Sequence, residues 1–96
     1  MIRHIVLFKF KTETTENDKA ALLNMLRELP GKIDKIIEMK VGADVVRSPR
    51  SFDMGLTSLF ASLDDLGVYA VHPDHLPVVS KAKEICEQVV AVDFEE

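Results

Sequence analysis

The order in which apolar residues switch between strand-like and helix-like spacing limits the fold of this chain more than any other feature. Ile2 to Phe10 alternates with a period of two and is rich in β-branched and aromatic residues, which predicts a strand. The same spacing predicts strands at Ile37 to Val41, Phe52 to Ala61 and Val90 to Phe94. Helical spacing fills the intervals after the first and third strands. The order β-α-β-β-α-β predicts an α+β, ferredoxin-like subunit with helices on one face of an antiparallel sheet.

Local signals mark where the helices begin and end. Thr15 and Ser62 each open a capping-box pattern ahead of a helix. Pro73 ends the short second helix, because the residue before a proline avoids helical backbone angles. A last helix is predicted from about Pro77, since proline is favoured at the first helical position. Its predicted apolar face consists of Val78, Val79, Ala82, Ile85, Cys86 and Val89.

Size and charge exclude several classes of protein. With 96 residues the chain is expected to form one domain, residues 1–96, because a second core would be too small to offset chain entropy. A net charge of -4 argues against a nucleic-acid partner, which requires clustered lysine and arginine. The apolar runs are too short for a bilayer core of about 30 Å, and the start lacks secretory features. We therefore expect no membrane association and a cytoplasmic location.

The predicted helices are too few to cover both faces of the sheet. On the first strand, Ile5 and Leu7 point away from the face that carries Val6 and Phe8, and Leu59 lies on the same bare side of the third strand. Exposed apolar faces of several hundred Å² usually mark an interface. The sequence therefore predicts a homodimer through the open sheet face, with the two sheets packed face to face as a closed or nearly closed barrel.

Chemically active side chains concentrate between Tyr69 and His75, a segment that holds the only tyrosine and two of the three histidines. His75 is a candidate general base, because imidazole titrates near neutral pH. The alternative is that it caps the last helix or bonds a backbone carbonyl. Tyr69 could donate to a developing enolate oxygen. His72 is interpreted as a hydrogen-bonding group of the loop. His4 is either a core residue under the helices or the group facing His75 across a pocket.

A metal site is not expected. His72 and His75 are separated by two residues, but they lack a third donor, and zinc sites need three or four. Asp64 and Asp65 are interpreted as helix-start charges. Cys86 is the only cysteine, so no internal disulfide can form, and it is predicted to be a packed thiol.

Four segments together resemble the stress-responsive A/B barrel (Dabb) domain family. They are the opening HIVLFKFK of residues 4–11, the strand from Phe52 to Phe60, the YxxHPxH motif of residues 69–75 and the closing Val92-Asp93-Phe94. The similarity runs nearly end to end. It implies a dimeric α/β barrel of ferredoxin-like subunits.

Within that family the chain is similar to polyketide cyclases of the olivetolic acid type, which use no metal or organic cofactor. The resemblance implies that His75 is the general base, that Tyr69 assists it, and that His4 is a pocket histidine. A further histidine of the third strand in those cyclases corresponds here to Met54.

Three functional hypotheses follow. The first is a small-ligand module with a pocket between sheet and helices, in which His4, Tyr69 and His75 are the polar contacts. The predicted apolar lining consists of Val6, Phe8, Leu23, Leu26 and Leu56. The second is a cofactor-free cyclase or lyase, and the third is a structural stress protein with a closed pocket.

Overall fold

A computed structural model describes all residues from 1 to 96, and its elements follow the predicted order. The strands are β1 (Ile2–Phe10), β2 (Glu38–Ala43), β3 (Met54–Phe60) and β4 (Cys86–Glu95), and the helices are α1 (Glu16–Glu28), α2 (Leu63–Ala70) and α3 (Leu76–Ile85). A single 3₁₀ turn, Leu29–Gly31, follows α1. No helix combines the length and the apolar character that spanning a membrane requires.

The four strands form one antiparallel sheet in the order β2-β3-β1-β4. The central strand β1 places Val6 opposite Leu56 of β3 and opposite Ala91 of β4. Because directly opposed residues share a face, this register groups the side chains that lie under the helices. The ferredoxin-like α+β fold is confirmed.

Both predicted helix starts are present. The Thr15 hydroxyl accepts a hydrogen bond from the Asp18 amide at 3.2 Å, and the Ser62 hydroxyl accepts one from the Asp65 amide at 3.1 Å. Each bond satisfies an amide that would otherwise lack a partner in the first turn.

The predicted end of the last helix is wrong. Helix α3 stops at Ile85, and Cys86 and Val89 belong to β4. Strand β4 pairs with β1 from Phe10 opposite Cys86 to Ile2 opposite Glu95. This long ladder satisfies the backbone hydrogen-bonding groups of a segment rich in β-branched residues. Pairing with β1 therefore outweighs the helical spacing of apolar residues, which continues through Val89. Cys86 is buried, as predicted.

The core lies between one face of the sheet and the helices. Leu22 of α1 and Phe60 of β3 are fully buried in a single cluster of apolar side chains. On the opposite face Leu7, Val92 and Phe94 are 40%, 55% and 44% exposed. The sheet therefore has the bare apolar face that the sequence predicts.

Candidate functional site

An apolar cavity of about 250 Å³ lies between the helices and the sheet. Strand β1 contributes His4, Val6 and Phe8, because alternate residues of a strand point to one side. Leu26 of α1 and Leu56 of β3 complete the inner wall. Four of the five apolar residues predicted to line a pocket therefore lie on this cavity.

The rings of His4, Tyr69 and His75 are grouped at this cavity. The centroids of the Tyr69 and His75 rings are 4.2 Å apart, and those of His4 and Tyr69 are 6.1 Å apart. Tyr69 also packs on Phe60, with ring centroids 5.1 Å apart, which ties the group to the core. The three residues named as polar contacts from the sequence are thus neighbours in the fold.

The His75 imidazole is held in one orientation by the backbone. Its Nδ1 lies 3.0 Å from the Ala70 carbonyl oxygen and donates to it, so the neutral ring carries its lone pair on Nε2. Burial lowers the pKa of His75; the Ala70 carbonyl opposes this shift, and His4 and His72 add to it. The His75 side chain makes no hydrogen bond that caps α3, but its bond to the Ala70 carbonyl is the backbone contact that the sequence offered as the alternative to a catalytic role. A neutral imidazole with an unpaired Nε2 can accept a proton.

The fold is expected to lose stability through His75 when the pH falls below about 6.5. The pKa of His75 is lower in the folded chain than its ordinary value of 6.5, so the unfolded chain takes up the proton first. The free energy of unfolding then decreases with falling pH until the folded pKa is reached. Urea unfolding at about pH 7.5 and about pH 5.5 measures this loss, which should be smaller in His75→Gln. An identical pH dependence in both proteins would contradict the assignment.

Tyr69 offers a hydroxyl donor inside the cavity. The side chain is 2% exposed, and burial raises the pKa of Tyr69 to about 12. No hydrogen bond from the protein contributes to that shift. The phenol stays protonated at neutral pH and remains available to an oxygen atom of a ligand.

His4 is oriented by Asp93, a carboxylate that no sequence pattern indicates. Its Nδ1 donates to Asp93 Oδ1, because the β1–β4 register places the two residues directly opposite one another. The Nε2 atom of His4 has no hydrogen-bond partner within the protein. The sequence alternation of β4 is enough to predict that Asp93 lies on the same face as Ala91. Only the register of the sheet shows that Asp93 lies opposite His4.

His72 lies outside the cavity. Its Nδ1 accepts a hydrogen bond from the Asp74 amide at 3.0 Å. This contact agrees with its interpretation as a hydrogen-bonding group of the loop.

The prediction that Leu23 lines the same cavity is wrong. On α1, Leu22 and Leu26 are one turn apart and face the core, whereas Leu23 is rotated toward the loop between β2 and β3. It lines a separate surface cavity of about 390 Å³, together with Met54, the residue matched to the additional cyclase histidine.

The charged groups of that larger cavity already pair with one another. Arg47 donates to Asp53 at 2.8 Å and Lys19 to Glu16 at 3.1 Å. Internal pairing leaves few free polar groups for a ligand. The smaller cavity with His4, Tyr69 and His75 is therefore the candidate site.

Comparison with known proteins gives one consistent result for the fold. Residues 2–96 match the family described as Stress responsive A/B Barrel Domain. The chain is 31% identical over 98% of its length to the Stress-response A/B barrel domain-containing protein DABB1 of Arabidopsis thaliana. It spans 46% of that relative, less than half of its length.

Solved structures match over almost the whole chain. A dimeric protein of unknown function and ferredoxin-like fold from Bacteroides fragilis is 33% identical, with a TM-score of 0.82 and coverage of 99% of this chain and 95% of that one. The hydroxynitrile lyase of Passiflora edulis has a TM-score of 0.86 at 21% identity, covering 97% of this chain and 90% of that one. The latter likeness concerns the fold alone.

Proposed function

Because this chain belongs to the stress-responsive A/B barrel domain family, we propose that it is a homodimeric module that binds a small apolar or carbonyl-containing ligand between its sheet and helices. One observation carries the proposal. His4, Tyr69 and His75 converge on a cavity whose walls are otherwise mainly apolar. Ligand sites commonly combine an apolar lining with a few convergent polar groups.

The homodimer is proposed to form through the open sheet face. Leu7 of β1 lies opposite Val90 of β4, and both are more than a third exposed in the single chain. Val92 and Phe94 extend the same apolar surface. A second copy would remove these side chains from water. The Bacteroides fragilis relative, which is described as dimeric, supports this assembly.

The cavity favours ligand binding over a purely structural role. The structural hypothesis requires a closed pocket, whereas this space opens to solvent, reaches His75 and has a volume equal to that of about eight water molecules.

Filling the cavity mouth is expected to weaken binding of octan-2-one, a neutral probe with an apolar chain and one carbonyl. Ala91 lies on the cavity wall at the edge strand and is exposed, so Ala91→Phe should fold normally while its ring occupies the entrance. We expect the dissociation constant, measured by NMR titration, to rise at least about tenfold.

The matched control is Ala20→Phe, which makes the same change at the larger surface cavity. It should bind octan-2-one like the unmodified protein. Absence of binding by the unmodified protein, or equal binding by Ala91→Phe, would contradict the proposed site.

The second candidate function is a cofactor-free cyclase or lyase with His75 as general base. The observation in its favour is the neutral imidazole, whose Nδ1 is engaged by the Ala70 carbonyl and whose Nε2 is free. Nε2 would take a proton from the carbon next to a substrate carbonyl. The electron pair of the broken C–H bond would move into an enolate, whose oxygen would accept a hydrogen bond from Tyr69. The Passiflora edulis lyase supports only that this fold can host an enzyme.

A further inference from the structure

One lysine and no carboxylate lie on the cavity wall. Apart from Tyr69 the titratable groups of the wall are His4, His75 and Lys83. Acidic residues outnumber lysine and arginine in this chain by 16 to 12, so a wall that carries a lysine and no carboxylate does not follow from composition. The nearby carboxylate Asp93 is hydrogen bonded to His4.

Lys83 is placed at the entrance by the geometry of α3. Val78 and Ala82 of this helix are 5% and 7% exposed and form the inner wall. Val79 and Lys83 are one turn apart on the adjacent face, and Lys83 is exposed. Across the opening lies Val89 of the edge strand β4, which is 45% exposed. The mouth is therefore apolar apart from one ammonium group.

That ammonium group has no partner in the protein. Lys81, two residues earlier on α3, pairs with Asp18 at 2.8 Å and with Glu84 at 3.3 Å. Lys83 forms no ion pair, although its helix and the adjoining strand carry several acidic residues. Its aliphatic stem can lie along the apolar rim while the charge faces whatever enters.

We propose that the ligand is an apolar monocarboxylate, bound with its tail in the cavity and its carboxylate at Lys83. The inference rests on the ligand-binding function proposed above and adds the chemical class of the ligand. The space for about eight water-sized groups suits a tail of medium length. Lys83 then selects acids over neutral molecules of the same shape, because an opposite charge at the rim favours the anion.

Octanoate and octan-2-one test the proposal, since they have chains of the same length and differ in charge. We expect Lys83→Met, which removes the charge and retains an unbranched side chain one atom shorter, to raise the dissociation constant of octanoate about three- to fivefold. The value for octan-2-one should not change. Lys83→Glu should weaken octanoate further, to more than about tenfold, through repulsion. Lys83 is exposed, so both variants should fold, which circular dichroism checks.

Lys81→Met is the matched control, because it removes the same charge from the same helix outside the cavity. Octanoate binding that is equally weak in Lys81→Met would overturn the role of Lys83, as would no change in Lys83→Met or an equal loss for both probes. In each of these cases octan-2-one still binds the unmodified protein, so the proposed cavity stands. If neither probe binds the folded unmodified protein, the proposed function fails and this inference fails with it.

Discussion

A Val92→Asp variant is expected to be monomeric at concentrations where the unmodified chain is a dimer. Val92 is 55% exposed and lies opposite Ile5 on the open sheet face. A two-fold interface would bury the new carboxylate twice, once in each protomer. An unpaired buried charge costs about 3–5 kcal/mol, so the dimer dissociation constant should rise by more than about a thousandfold.

Sedimentation equilibrium over a range of protein concentrations measures this change. Val71→Asp is the matched control, because Val71 is 72% exposed at the end of α2, on the helical side of the sheet. It should sediment like the unmodified chain. A Val92→Asp protein that remains dimeric would show that the open sheet face is not the interface. A monomeric unmodified chain would contradict the homodimer itself.

If the chain is a cyclase or lyase, His75→Ala is expected to lower turnover of a linear β-polyketone by about 10² to 10⁴. This is the usual contribution of a positioned general base, and the Ala70 carbonyl positions His75 on the cavity wall. Tyr69→Phe should lower turnover by about 10² to 10³, since it removes the hydroxyl that would stabilise the enolate oxygen. Single-turnover kinetics of the three proteins measures both effects.

His72→Ala is the control for this experiment. It removes a histidine of the same loop that lies outside the cavity, so turnover should stay close to that of the unmodified chain. An active His75→Ala variant would contradict the role of general base. An unmodified protein that binds octan-2-one without turning over the β-polyketone would leave ligand binding as the function and exclude this reaction.

Much of the fold could be predicted because its signals are local. The alternation in β1 depends on residues two positions apart, and the hydroxyl caps at Thr15 and Ser62 depend on residues three positions apart. All of these features appear where the sequence predicts them. The start of β4 was missed because helical spacing continues past Ile85. Only the presence of β1 alongside makes the extended conformation of Cys86 the more stable one.

The candidate site was predictable in part. His4, Tyr69 and His75 could be named because strand alternation, a proline-interrupted motif and the family resemblance all indicated them. Asp93 and Lys83 could not be selected, because each is one of several similar charged residues in its element. Their position depends on which strand β4 joins and on how α3 is rotated against the sheet.

The sequence by itself determined the order of strands and helices, and with it a sheet that has helices on one face only. Only the tertiary structure decided that β4 lies beside β1, that Asp93 bonds a histidine 89 positions away, and that the space under α3 stays open with Lys83 at its mouth. The physical reason is how far apart along the chain the interacting residues lie. Periodicity and capping are set by neighbours along the chain, whereas register, helix rotation and cavity volume result from simultaneous packing of segments that are far apart in sequence.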